Sequence, residues 1–352
     1  FPNTARYRFE ESLKTYELNG RRIPYPVQWK EPERNRRAAD YFRQNPHRLQ
    51  LGNIGLEIVR SNGRLATLRD IKKISQELDM WKGEIVSTFY VDSQLVNVVT
   101  YVHPELDAVG VSIVSPLVAR KKLQIRLQFP YPNGEWKDVG INYTNAGKHT
   151  STVQKRSADN IILRHVLDST SYFVQVASRN NIAFKQRRAH DFLFIPDAAS
   201  NVLEMVFCFT PQLQDQLPSF EEIKTSSSKA WEAFWKSGGA VDFSGSTDHR
   251  AGELERRVVL SQYLTRVQCA AAFPPQETGL TYNSWFGKPH LEMHWWHAVH
   301  FALWGRTEWL EKSLDWYFTA ADSARAIARR QGYEGLRWQK MTDHAGREAP
   351  SS

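Results

Sequence analysis

Little in this 352-residue chain suggests a disulfide-stapled or membrane-spanning protein. It has only two cysteines, Cys208 and Cys269, far apart and in apolar surroundings, which favours buried free thiols over a disulfide or a metal site. No apolar run approaches the roughly 18 residues needed to cross a bilayer. Charged residues make up 24% and apolar residues 41%, which is the balance of a folded chain and excludes a disordered one. Nucleic-acid modules are also missing. The net charge is +8, but it comes from scattered knots such as Arg34-Asn35-Arg36-Arg37, Arg120-Lys121-Lys122 and Lys185-Gln186-Arg187-Arg188. None lies in a zinc finger or an aromatic RNA-binding strand, so a solvated basic surface is expected and nucleic acid is not. The chain begins at Phe1 rather than Met and shows no signal-peptide core, as expected of a processed product whose export signal could already be gone. Asn142-Tyr143-Thr144 fits a glycosylation sequon.

What is present falls into two regimes, and the length itself favours two domains. The first forty-five residues are polar and punctuated by proline, with "FEESLKTYELNGRRIPY" reading as a short helix or strand before a turn at Asn19-Gly20. From about Leu49 to Phe209, short alternating or β-branched runs follow one another, among them "EIVSTFYVD", "LVNVVTYVH", "KLQIRLQFPYP" and "VLEMVFCFTP". Eight or more such runs, separated by turn residues, predict an antiparallel β-sandwich over residues 1–217. Asn133-Gly134 is expected to turn a hairpin between its flanking runs. The period then changes. Residues 218–248 predict a helical linker that starts at a serine cap and ends at Gly238-Gly239. Residues 249–352 contain only helical patterns and loops, including "ELERRVVLSQYLTRVQCAAA", a helix reaching Leu303 or Trp304, and another from Glu308 to about Arg330.

One stretch stands out: "GKPHLEMHWWHAVHFALWGR", residues 287–306, holds three tryptophans, four histidines and one glutamate. On a helix, Glu292, Trp295, Trp296 and Val299 share one side, while His290, His294 and His297 form a ladder. Packing in a core accounts for any single tryptophan here. Three histidines can hold zinc, but the HExxH order is absent and consecutive turns of one helix suit tetrahedral geometry poorly, so no metal and no cofactor are expected. A sugar site asks for flat apolar faces together with charged or planar hydrogen-bonding groups. Trp285, Trp295, Trp296, Glu292, His290, His294 and Gln339 supply both, with Asn283 and Gly287 at the mouth. A Glu on an aromatic helix face needs partners, which marks Glu292 as the leading acidic candidate, with Glu348 and Asp343 behind it. Glu277 is read as a loop cap and Asp343 as a possible turn residue.

The order "AWEAFWKSGGAVDF", "ELERRVVLSQYL", "GLTYNSWFGKPHLEMHWWH" and "GYEGLRWQKMTDHAGREAP" resembles the six-hairpin, (α/α)6-barrel glycosidases. It is loosely similar to glycoside hydrolase family 65, which includes maltose, trehalose and kojibiose phosphorylases and some α-glucosidases. The family's loop G-Y-x-G-H-x-F-W-D-T-E is matched in place by Phe286 to His290, Glu292 and Trp295-Trp296. Its G-A-x-F-P-W-x-S-x-x-x-G-x-E segment is matched by Gly335-Leu336-Arg337-Trp338-Gln339-Lys340 through Glu348. The W-D-T-E tetrad is not reproduced, and Lys340 stands where the family has Trp.

The resemblance implies a β-sandwich, a linker helix and the start of an (α/α)6 barrel whose general acid lies beyond Ser352. It implies glycoside hydrolysis by an inverting acid/base pair, with Glu292 as the catalytic candidate and Asn283, Trp285, His290, His294, Trp295, Trp296, Trp338, Gln339, Lys340 and Glu348 binding a carbohydrate substrate. In such a pair the two carboxyls stand roughly 6.5–9.5 Å apart to admit water. Phosphate as nucleophile, with Arg337, Lys340 or Arg347 to hold the anion, and a non-catalytic carbohydrate-binding protein are the alternatives. A periplasmic or extracellular location goes with glycan degradation.

Overall fold

In the computed structural model, residues 1–197 and 200–351 are described. They divide into two compact units: residues 50–131 with 141–236, and residues 1–49 with 132–140 and 237–352. The architecture mixes antiparallel sheets with helices.

In chain order, a hairpin opens the second unit, with strands β1 (Leu13–Leu18) and β2 (Arg21–Pro26). It turns at Asn19-Gly20, whose φ angles of 51° and 74° are the left-handed pair that a tight hairpin needs. Helix α1 (Glu33–Gln44) follows. The sandwich unit then supplies β3 (Asn53–Ile58), β4 (Lys72–Asp79), β5 (Glu84–Val91), β6 (Gln94–Val102), β7 (Ala108–Val114), the single turn α2 (Pro116–Ala119) and β8 (Leu123–Gln128). After β9 (Lys137–Asp138) come β10 (Thr150–Arg156), β11 (Asn160–Leu167), β12 (Thr170–Ser178), β13 (Ile182–Arg188), β14 (Asp191–Pro196), β15 (Val202–Thr210) and helix α3 (Phe220–Lys236).

Two antiparallel sheets carry the sandwich, ordered β10-β11-β12-β15-β7-β6-β5-β4 and β13-β14-β8-β3. Side chains alternate in and out along each strand. In β8 this buries Leu123, Ile125 and Leu127, and in β11 it buries Ile161, Leu163, His165 and Leu167. Their apolar faces meet in one core with Phe192, Phe194 and Phe207. On the other face of the larger sheet, Phe220 and Ile223 of α3 pack against Tyr101, Ala108, Val206 and Cys208. A reciprocal cap between Ser219 and Glu222 starts α3, with Ser219 N donating to the Glu222 carboxylate at 2.7 Å.

The other unit continues through α4 (Ala251–Cys269), β16 (Asn283–Ser284), α5 (His294–Leu303), α6 (Thr307–Thr319) and α7 (Ala321–Arg330). The expected single helix from Glu308 to Arg330 is two helices that break at Ala320, where the backbone leaves helical geometry. Among the described residues, α4 to α7 do not close into a barrel. The Asn133-Gly134 hairpin is also corrected. Gly134 does turn the chain at φ 74°, but β9 pairs with β16, far along the sequence, and not with β8. Its turn is held locally, with Asn133 N donating to Asp138 at 2.9 Å. No helix among the described residues is long and apolar enough to cross a membrane.

Candidate functional site

The two segments singled out by the sequence lie side by side. Isolated β-bridges join Gln276 to Pro289, His290 to Met341, and Thr342 to Glu348. Leu291 N donates to Lys340 O at 2.8 Å, and His290 N to Pro275 O at 3.1 Å. Residues 289–291 are thereby tied to residues 340–342.

Three consecutive residues in this loop have positive φ: Trp285 at 49°, Phe286 at 59° and Gly287 at 69°. A bulky residue costs roughly 1–2 kcal/mol in that region, so the surroundings must enforce it. Gly287 is required, because a Cβ there would run into the Cβ of Arg48. Asn283 anchors the same turn by donating from Nδ2 to Arg48 O at 2.7 Å. The strained turn presents the Trp285 ring to Trp136 at 5.3 Å, to His290 at 5.5 Å and to the Lys340 ammonium at 5.7 Å.

Glu292 does not sit in the apolar interior. Its side chain is half exposed and meets Lys340 Nζ at 2.7 Å. That hydrogen-bonded ammonium holds the Glu292 carboxyl below the usual carboxylate range. Trp295 and Trp296 follow it on α5 and are 60% and 70% exposed, so neither is a core residue.

The histidines part ways. His294 is buried with both ring nitrogens engaged, Nδ1 to Tyr317 Oη at 3.0 Å and Nε2 to Ser313 Oγ at 2.8 Å. Burial lowers its pKa to about 4, so it stays neutral, and its structure-building contacts separate it from the ladder. His290 is also buried; its Nε2 stands 3.5 Å from Glu277 Oε2, while its Nδ1 has no hydrogen-bond partner among the described residues. His297 faces Glu277 as well, and burial lowers the pKa of both rings. Glu277, read from sequence as a loop cap, thus lies between two histidines.

Buried polar atoms without hydrogen-bond partners among the described residues occur along these segments: His290 Nδ1, His297 Nδ1, Trp338 Nε1 and Thr342 Oγ1. Such groups are rare in folded proteins, and each needs a reason. The Trp338 ring packs edge-on against Tyr317 at 5.3 Å. Gln339 is half-buried beside it. The Glu348 side chain is bonded to Arg330 and Gln331 at the end of α7, where burial raises its pKa against the pull of Arg330. Asp343 is a turn residue, accepting from Ala345 N and Arg347 N at 2.9 Å each.

The sequence did not reveal a second histidine group. His149, His165 and His190 are all buried in the sandwich unit, with ligand atoms within 4.8 Å of one another. Their sequence spacings match no metal motif; the only hint was a histidine at an inward position of β11.

No family model matches the chain, and no curated protein matches it by sequence. Among solved structures, one assigned as a kojibiose phosphorylase from human microbiome superposes with a TM-score of 0.60 at 11% identity, covering 84% of this chain and 42% of that one. A bacterial glucoamylase complexed with acarbose superposes with a TM-score of 0.51 at 8% identity, covering 84% of this chain and 46% of that one. The chain spans less than half the length of either neighbour. At these identities the likeness is one of fold alone.

Proposed function

We propose that this chain contributes the saccharide-holding side of a glycoside-cleaving enzyme. The observation that carries the proposal is the set of buried polar atoms without hydrogen-bond partners among the described residues at His290, His297 and Thr342, beside Glu277 and with the Trp285 ring against His290. A sugar ring offers hydroxyls that both donate and accept, together with C–H faces that lie on indole rings. The exposed Trp295 and Trp296, and the ionised Glu292 between them and Lys340, extend the same surface. The fold neighbours, a protein assigned as a kojibiose phosphorylase and a glucoamylase, point the same way.

Glu292, kept ionised by Lys340, suits accepting a hydroxyl or activating water, not donating a proton to a leaving group. We therefore assign it the base or hydroxyl-holding role of an inverting hydrolysis. Phosphorolysis is the second reading. It is favoured by the higher TM-score of the neighbour assigned as a phosphorylase, and by the Lys340 ammonium over Trp285, which could face an anion.

Incubating the protein with kojibiose, maltose and trehalose, with and without phosphate, tests this reading. Glucose release without phosphate supports hydrolysis, and sugar phosphate formed only with phosphate supports phosphorolysis. Saturable sugar binding with neither product would make it a binding protein, and no binding at all would remove the carbohydrate assignment.

A further inference from the structure

We infer that the turn from Trp285 to Lys288, with Arg43 and Arg48 beside it, selects saccharides that carry an oxyanion, a uronate carboxylate or a sulfate ester, over neutral ones. This rests on the saccharide reading of the same site and adds the charge of its substrate. The residues involved belong to one compact unit. Arg43 lies in the last turn of α1, and its guanidinium stands 5.3 Å from the centre of the Trp285 indole and 5.7 Å from the Phe286 ring. The same indole meets His290 at 5.5 Å, so Arg43 is one ring away from the proposed sugar contacts. Arg48 is strapped to the turn through its backbone: its N donates to Phe286 O at 3.1 Å, and its O accepts from Asn283 Nδ2 at 2.7 Å. The stem of its side chain lies against Gly287. Lys288 closes the turn and is only 3% exposed.

These three cations lack a counter-charge. Neither Arg43 nor Arg48 makes a side-chain hydrogen bond or ion pair with another described residue, and Arg43 Nε is buried. Lys288 Nζ donates to Asn45 O at 2.7 Å, at the C-terminal end of α1, which leaves two of its N–H groups over. The carboxylates nearby are engaged elsewhere. Glu292 pairs with Lys340, the fourth cation at this indole, and Asp343 holds Arg347 and two backbone amides. Asp40 pairs with Arg36, and Asp138 accepts from the amides of Asn133 and Gly140. Burial accordingly lowers the pKa of Arg43 and Arg48 and pushes the Lys288 ammonium down to about 8.

Buried cations are as a rule paired, because removing them from water is costly. Three unpaired ones around a turn of consecutive positive φ values point to an anion that arrives with the ligand. The chemistry of the side chains fits an oxyanion. A guanidinium presents a rigid fork of N–H donors that matches two oxygens of a carboxylate or a sulfate, and an ammonium adds a point charge. Contact with aromatic rings engages the face of the Arg43 guanidinium and leaves its edge for such an acceptor. A neutral sugar hydroxyl could accept the same hydrogen bonds but would leave the positive charges uncompensated.

The test is calorimetric titration of the full chain with kojibiose and maltose, with the same disaccharides carrying a carboxylate or a sulfate at C6, and with inorganic phosphate. The charged forms should bind about tenfold or more tightly than their neutral twins, and that preference should shrink as salt is raised. Arg43→Gln and Arg48→Gln should each remove most of the preference while leaving the affinity for neutral sugar unchanged. Arg36→Gln makes the same charge change on the exposed side of α1 and should alter neither affinity. Equal binding of charged and neutral sugars would overturn the inference and leave the saccharide reading standing, whereas no binding of any sugar would end both. A preference that survives both arginine variants would overturn its assignment to this turn. So would binding of phosphate alone, lost in Arg43→Gln, with no preference among the sugars. Should Arg48→Gln fail to fold, Arg43→Gln and the salt dependence still decide.

Discussion

Gly83 ends the turn between β4 and β5, and replacing it with alanine should cost far more than its position in a surface turn suggests. Its φ is +65°, and a Cβ would overlap Nε1 and Cδ1 of Trp231 and come within 3.0 Å of Ser227 Oγ. Both residues belong to α3, which is bonded to this turn twice: Trp235 Nε1 donates to Met80 O at 2.7 Å, and Ser227 Oγ to Lys82 O at 3.3 Å. The left-handed backbone alone costs alanine about 1–2 kcal/mol. Moving a packed indole adds about 1–3 kcal/mol, giving a total of roughly 2–5 kcal/mol. At about 2–4 °C per kcal/mol for a unit of this size, the melting midpoint should fall by roughly 4–20 °C. Gly63→Ala is the internal control: φ there is +80° but nothing lies within 4 Å, so only the backbone cost applies. Calorimetry on both variants, and on Gly83→Ala in a Trp231→Ala background, separates the two contributions. Equal losses for Gly63→Ala and Gly83→Ala would refute the collision.

Three further outcomes follow from the contacts. His294 stays neutral in the folded chain down to about pH 4, whereas unfolded histidine protonates near 6.5. The unfolded state therefore binds more protons in that window, so stability is complete above pH 6.5 and is lost as the pH falls toward 4. The urea midpoint should accordingly drop less steeply with acid in His294→Gln than in wild type, and identical slopes would count against it. Burial pushes the thiols up, Cys269 to about 11, so neither cysteine should react with a disulfide reagent before urea unfolds the chain; rapid labelling of the native protein would contradict this. Lys340→Met should change stability by less than about 1 kcal/mol, since its pair with Glu292 is exposed, yet it should weaken sugar binding. A large loss of stability in denaturant titration would show the pair to be structural.

The sandwich was legible because its central strands repeat apolar residues at alternate positions, as in β8 and β11. The strands that escaped notice, β4 and β10, are the two ends of the eight-stranded sheet, and nearly all their side chains are exposed. An edge strand buries too little to show a period. The pairing of β9 with β16 was invisible because register across so long a separation is set by the tertiary fold and not by the local turn. At the site, the sequence grouped Trp285, His290, Glu292 and Lys340, which the structure also brings together. It did not distinguish His294, whose partners Ser313 and Tyr317 come from α6. Glu277 was read only as a loop cap because its two histidine neighbours lie across a loop.

The account rests on the segment around Trp285 and α5 holding a saccharide, and calorimetric titration of the protein with kojibiose and maltose tests that directly. Binding should saturate at one site, and the Trp295→Ala, Trp296→Ala double variant should bind about tenfold more weakly, a loss of about 1.4 kcal/mol. No heat of binding for any sugar, or an affinity indifferent to both indoles, would contradict it.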